Sequence, residues 1–226
     1  EFSEEENSQS TDVYASMMWS ATQFVSRLLM PPPAHRFCLD DGTKANSNFQ
    51  YLRQILETAK KSEADVRLFI PPMHVYFLEI LNTLGLMKDY ENWQYRLITL
   101  IENIDKKYPN KKNFPLWDFS GYNTVTMDEV PPAKSSNRSM DWYYDVVHFK
   151  KKLGDRIQDR IFNYNDAGRV VPEDFGIQIH SKNINHYQRT QRSERMRYMF
   201  AHQSEIKELD SRVKTVKKKI GKFNCG

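Results

Sequence analysis

The chain has 226 residues, of which 39% are hydrophobic and 13% aromatic, and this is enough apolar material for one substantial domain with or without an appendage. No apolar run approaches the roughly 18 residues of a membrane-spanning helix, and the acidic start lacks the pattern of a signal peptide. The net charge of +4 divides into acidic residues at the start and lysines at the end. The basic end could attract phosphate-rich partners, but a solvated helix face is favoured and no nucleic-acid partner is expected.

The first third of the chain contains a polar segment followed by two predicted helices. Residues 1–12 are polar and acidic, which predicts a disordered N-terminus. Apolar residues from Val13 to Met30 predict a helix that ends at the prolines of 31–33, because proline cannot continue a helix. Apolar residues at helical spacing after Ser47 predict a second helix.

Short strands and helices alternate through the middle of the chain. Strands are predicted at 66–70 and 115–119, and helices at 75–84, 93–104 and 153–161. Gly85 is the expected C-cap of the first of these helices. Alternating helices and strands predict an α/β domain over 13–180, with a three-layer, flavodoxin-like and mostly parallel sheet.

Residues 181–226 predict a long C-terminal helical extension. An apolar stripe recurs there at spacings of three and four, at Ile206, Leu209, Val213, Val216 and Ile220. The stripe is short, so packing on its own domain is favoured, and a homo-oligomer through 199–220 stays an alternative. The arginines and tyrosines of 187–198 are better explained as an exposed helix face than as a nucleic-acid contact.

Two cysteines, Cys38 and Cys225, are too few for a disulfide framework and too far apart for a zinc motif. Whether they pair is left open. We expect no metal and no cofactor, because there is no cluster of ligands at metal spacing and no glycine-rich phosphate loop.

The sharpest candidate for chemistry is the pair Asp145 and His148, within the run WYYDVVHF that follows a long loop. A carboxylate that bonds one imidazole nitrogen fixes the tautomer, so the other nitrogen can take a proton from a serine hydroxyl. The spacing alone is weak evidence, since a capping Asp and a partly buried His would give the same pattern.

Several segments together resemble the SGNH-hydrolase superfamily. They are NFQYLRQILETAK, VRLFIPPMH, PLWDFSGYN, DVVHFKKKLGDRIQDRIF and EDFGIQI, in that order over about 40–200. The resemblance implies that Asp145 and His148 are catalytic in an esterase or O-acyltransferase that acts on ester-modified extracytoplasmic polysaccharide. It also implies a membrane-anchored or periplasmic location, with any membrane contact made through an N-terminal anchor outside this chain.

The chain departs from that superfamily in two motifs. It lacks the Gly-Asp-Ser-like turn that carries the nucleophile and the Gly-x-Asn-Asp block that helps to hold the oxyanion. We therefore expect the serine to lie upstream and the fragment alone to be inactive. The alternative is a non-catalytic binding or scaffold domain.

Four further residues are candidates for substrate binding. Ser120 follows a predicted strand and precedes a glycine, although a turn serine is the more ordinary interpretation. His74 and Asp118 also lie at the ends of predicted strands, where ligand sites of α/β sheets gather, and structural roles are favoured for both. Tyr144, beside the Asp–His pair, could stack on a sugar ring or belong to the core.

Overall fold

The computed structural model describes residues 12–26, 48–135 and 138–220, without the side chains of 219 and 220. Its helices are α1 Val13–Phe24, α2 Asn48–Lys61, α3 Val75–Leu84, α4 Met87–Lys107, α5 Lys151–Phe162, α6 Ile184–Ala201 and α7 Gln203–Ile220, and its strands are β1 Leu68–Ile70, β2 Leu116–Asp118 and β3 Ile177–Gln178. The predictions for residues 1–11 and for the two cysteines lie outside the described residues. Asp12 caps α1 through its side chain.

The sheet corrects the predicted fold class. Among the described residues it has three strands in the order β1-β2-β3, with β1 parallel and β3 antiparallel to β2. Helices dominate the chain, so the prediction of a three-layer, flavodoxin-like and mostly parallel sheet is wrong. The strands pair over only two or three residues, and Pro71 ends β1 because proline has no N–H to donate.

All three helices predicted in the middle of the chain are present, and the one predicted at 153–161 is α5. The helix predicted at 75–84 is α3, and Gly85 ends it in the left-handed conformation at φ 80°. The helix predicted at 93–104 begins earlier, at Met87, and ends at Lys107.

Two hydrophobic clusters hold these elements together. The larger one joins α1, α3, α5 and α7, and the other joins α2 and α4 to the strands and the start of α6. The α7 stripe enters the larger cluster through Ile206, Leu209 and Val213, so it packs within the chain. A homo-oligomer through 199–220 would have to use other side chains. No helix in the described ranges is both long and apolar enough to cross a bilayer.

The loop that contains the Asp–His pair is hydrogen-bonded to the segment that follows β1. The backbone N–H of His74, four residues beyond the end of β1, donates to the carbonyl of Val146 at 3.0 Å. The next N–H, of Val75, donates to the carbonyl of Thr126 at the same distance. The loop is thereby fastened near the carboxyl end of β1.

Candidate functional site

Residues 142–150 form a tight loop in front of α5. The N–H of Lys150 donates to the carbonyl of Trp142 at 2.8 Å, and the N–H of Tyr144 donates to the carbonyl of His148 at 2.9 Å. A β-bridge joins Tyr143 to Phe149 between these bonds. Because α5 begins at Lys151, the Asp–His pair lies in the loop ahead of the helix.

Asp145 holds both the backbone and the ring of this loop. Its Oδ1 accepts from the N–H groups of Val147 and His148, at 2.8 and 2.9 Å, which closes a local turn. Its Oδ2 lies 2.8 Å from Nδ1 of His148. Partial burial of the carboxylate acts in the opposite direction, but these hydrogen bonds lower the pKa of Asp145 below its usual value.

The ring of His148 is open to solvent. Its side chain is 74% exposed, whereas that of Asp145 is 23% exposed. With Nδ1 donating to the carboxylate, the lone pair of the neutral ring lies on Nε2. No hydroxyl among the described residues hydrogen-bonds to Nε2.

Of the three aromatic residues beside the pair, Tyr144 is the accessible one. Its side chain is 61% exposed, and the ammonium of Lys150 lies 5.6 Å from its ring centroid. Tyr143 is 1% exposed, and the ring of Trp142 has the cationic groups of Lys152 and Arg156 each at 4.7 Å. Tyr144 is therefore the ring that could stack on a ligand.

Asp118 and Ser120 lie together, but inside the protein. The hydroxyl of Ser120 donates to Oδ1 of Asp118 at 2.6 Å and pairs with the hydroxyl of Tyr90 at 2.8 Å. Gln94 donates to the other carboxylate oxygen at 2.7 Å. Burial raises the pKa of Asp118, although these hydrogen bonds oppose the change. Both residues are almost fully buried, so neither faces a substrate from solvent.

His74 has no free nitrogen. Its Nδ1 accepts from the N–H of Tyr76 at 3.3 Å and caps α3, while Nε2 donates to the carbonyl of Asp128 at 2.8 Å. Burial of the ring lowers its pKa to about 4, and the hydrogen bond to Asp128 opposes that change. His74 therefore remains neutral and ties α3 to the loop ahead of the Asp–His pair.

Comparison with known proteins identifies no relative. No family model, no curated protein and no solved structure matches the chain. The resemblance to SGNH hydrolases therefore rests on the sequence motifs alone and stays a prediction. Nowhere in the described ranges do three or more His, Cys, Asp or Glu side chains gather as they would around a metal ion.

The buried network around Asp118 includes residues that the sequence analysis did not select. Gln94 bonds to Asp118, Gln188 donates to Gln94 at 3.0 Å, and the hydroxyl of Tyr187 bonds to the carbonyl of Ser120 at 3.3 Å. One signal was present in the sequence. Gln94 stands three and four residues before Leu97 and Ile98, so a polar side chain occupies the apolar face of α4.

Proposed function

We propose that Asp145 and His148 are the acid–base half of a serine esterase or O-acyltransferase of SGNH type. The observation that carries the proposal is the 2.8 Å bond between Asp145 and Nδ1 of a ring that is otherwise exposed. The substrate would be an ester-modified polysaccharide outside the cytoplasm. Tyr144, exposed beside the pair, would supply a surface on which a sugar ring can stack.

The chemistry follows from the tautomer. Nε2 of His148 takes the proton from a serine hydroxyl as the serine oxygen attacks the ester carbonyl. The imidazolium then returns this proton to the departing alcohol, and the carboxylate of Asp145 stabilises the charged ring between the two steps. A water or sugar hydroxyl, deprotonated by the same nitrogen, releases the acyl group in the second half of the reaction.

We place the serine on a segment upstream of these 226 residues. The free edge of β1 supports this placement, since β1 pairs with β2 on one side only among the described residues. A further strand paired in parallel along this edge would end near the loop that His74 fastens, and so near His148.

The test is an acetyl-ester hydrolysis assay on the protein together with its upstream segment. His148→Ala and Asp145→Asn should each lower kcat/KM by about 10³-fold or more. His186→Ala is the matched control, since this exposed histidine on α6 lies outside the loop and should leave the rate unchanged. Activity that persists in His148→Ala would overturn the mechanism.

A non-catalytic binding or scaffold domain is the second candidate. It is favoured by the absence, within the described ranges, of any hydroxyl bonded to Nε2 of His148, together with the exposed ring of Tyr144. This function predicts that the chain binds acetylated polysaccharide without turnover, and that Tyr144→Ala weakens binding while His148→Ala does not. Calorimetric titration of both variants separates the two candidates.

A further inference from the structure

A cleft of about 420 Å³ lies between α6, the turn that follows β2 and the segment that leads into β3. This volume is in the range that small organic ligands occupy. The α6 positions that line it are three or four residues apart, so they share one side of the helix. We call it the α6 cleft, and its lining includes Tyr122, Met127, Asp174, Ile177, Tyr187 and Gln191.

Much of the α6 cleft is walled by apolar surface. Tyr122 and Tyr187 are only 4% and 8% exposed. Their hydroxyls donate inside the protein, to a buried carboxylate at 2.6 Å and to a backbone carbonyl at 3.3 Å. They therefore offer ring surface to the cleft, and the half-buried side chains of Met127 and Ile177 extend it. A ligand with an apolar body would bury it here.

Asp174 supplies an uncompensated negative charge. One carboxylate oxygen accepts from the N–H of Thr124 at 2.8 Å and the other from its hydroxyl at 2.7 Å, so the group is held in place. No lysine or arginine lines the cleft, and none among the described residues forms an ion pair with Asp174. Glu194, which also lines the cleft, already pairs with Arg197.

The side-chain amide of Gln191 adds a free donor. Its Oε1 accepts from the N–H of Tyr122 at 2.6 Å, which fixes the orientation of the amide. Gly121 permits this approach, because a Cβ at that position, where φ is 95°, would collide with Oε1. Nε2 donates to no acceptor in the part of the chain that the structure describes, so it can donate to a ligand.

We propose that the α6 cleft binds a small organic ammonium ion with an apolar body and a hydroxyl or carbonyl oxygen. The ammonium would pair with Asp174, the oxygen would accept from Nε2 of Gln191, and the apolar body would lie against the two tyrosine rings. An organic anion would instead meet the carboxylates of Asp174 and Glu194. No residue of the 142–150 loop lines the cleft, so this binding is independent of the proposed function.

Titration with two matched probes, followed by amide NMR, tests the proposal. The probes are 2-amino-1-phenylethanol and 1-phenylethane-1,2-diol, which have the same number of non-hydrogen atoms and differ by an ammonium in place of a hydroxyl. The amine should bind with a Kd in about the millimolar range, as its size allows, and should shift the backbone signals of Ile177 and Tyr187. The diol should bind about fivefold more weakly, because it lacks the ion pair.

Two variants separate the charge from the apolar wall. Asp174→Asn should weaken amine binding about fivefold and leave diol binding unchanged. Its matched control is Glu173→Gln, which neutralises the neighbouring exposed carboxylate outside the cleft. Thr190→Trp places a large ring in the cleft from an exposed position on α6, so it should abolish binding of both probes. Circular dichroism checks that each variant is folded.

Four results would overturn the proposal. The amine could fail to bind, or bind without shifting the signals of Ile177 and Tyr187. The diol could bind as tightly as the amine. Glu173→Gln could weaken amine binding as much as Asp174→Asn does. The folded Thr190→Trp variant could bind the amine as tightly as the parent.

Discussion

Arg195 on α6 and Glu79 on α3 are joined by two hydrogen bonds of 3.0 and 2.9 Å. The side chain of Glu79 is only 3% exposed, and the hydroxyl of Tyr122 also donates to it at 2.6 Å. A buried carboxylate is tolerated when its charge is compensated and its oxygens are bonded. Arg195 therefore fixes α6 on α3 by compensating this charge.

Removing the guanidinium should destabilise the fold strongly. Arg195→Met leaves the carboxylate of Glu79 buried without its cation, and the free energy of unfolding should fall by about 3 kcal/mol or more in urea titrations. Arg197→Met is the matched control, since its pair with Glu194 is largely exposed and should contribute less than about 1 kcal/mol. Equal losses in the two variants would contradict this role for Arg195.

The contributions of Asp118 and Asp145 to stability should depend on pH in opposite ways. Burial raises the pKa of Asp118, so its contribution to stability is complete below about pH 4 and is lost as the pH rises through its folded-state pKa. Hydrogen bonds lower the pKa of Asp145, so its contribution is present above about pH 4 and is lost as the pH falls through its folded-state pKa.

Carbon-13 NMR of the two carboxyl groups measures this difference in one sample. We expect the midpoint of Asp118 to lie above, and that of Asp145 below, the ordinary aspartate value. Asp118→Asn should also remove the corresponding fall in unfolding free energy with rising pH. The account of the buried network fails if Asp118 titrates at a lower pH than Asp145.

The hydroxyl of Tyr143 is buried and has no hydrogen-bond partner among the described residues. Its removal should cost little, so Tyr143→Phe should leave the free energy of unfolding unchanged or raise it by up to about 1 kcal/mol. Tyr122→Phe is the contrasting variant, because it removes a bond to a buried carboxylate and should cost about 2 kcal/mol. Thermal unfolding should therefore rank Tyr143→Phe above Tyr122→Phe, and the reverse order would contradict the assignment.

The sequence predicted local features better than the assembled fold. The strand at 66–70 and the capped helix at 75–84 follow from periodicity, proline and glycine, which act over a few residues. The number and direction of the paired strands depend on contacts between distant segments. β3, for example, pairs with a strand about 60 residues earlier and runs antiparallel to it. The prediction of the fold class was therefore wrong, whereas the types of the local elements were predicted correctly.

The candidate site shows the same division. Asp145 and His148 are three residues apart, so a local turn suffices to bring carboxylate and ring together. The environment of Asp118 depends on Tyr90, Gln94 and Tyr187, which come from two other helices. Burial of Ser120 and Asp118 in that network was therefore not predictable from the residues that adjoin them in the chain.

The central claim is that Asp145 holds the ring of His148 with its proton on Nδ1. Nitrogen-15 NMR of the ring measures this directly and needs neither serine nor substrate. In the neutral ring we predict the Nδ1–H tautomer, and a shift toward the Nε2–H form in Asp145→Ala, with His186 unchanged in both. A parent protein whose His148 carries its proton on Nε2, or a tautomer that Asp145→Ala leaves unaltered, would contradict the account.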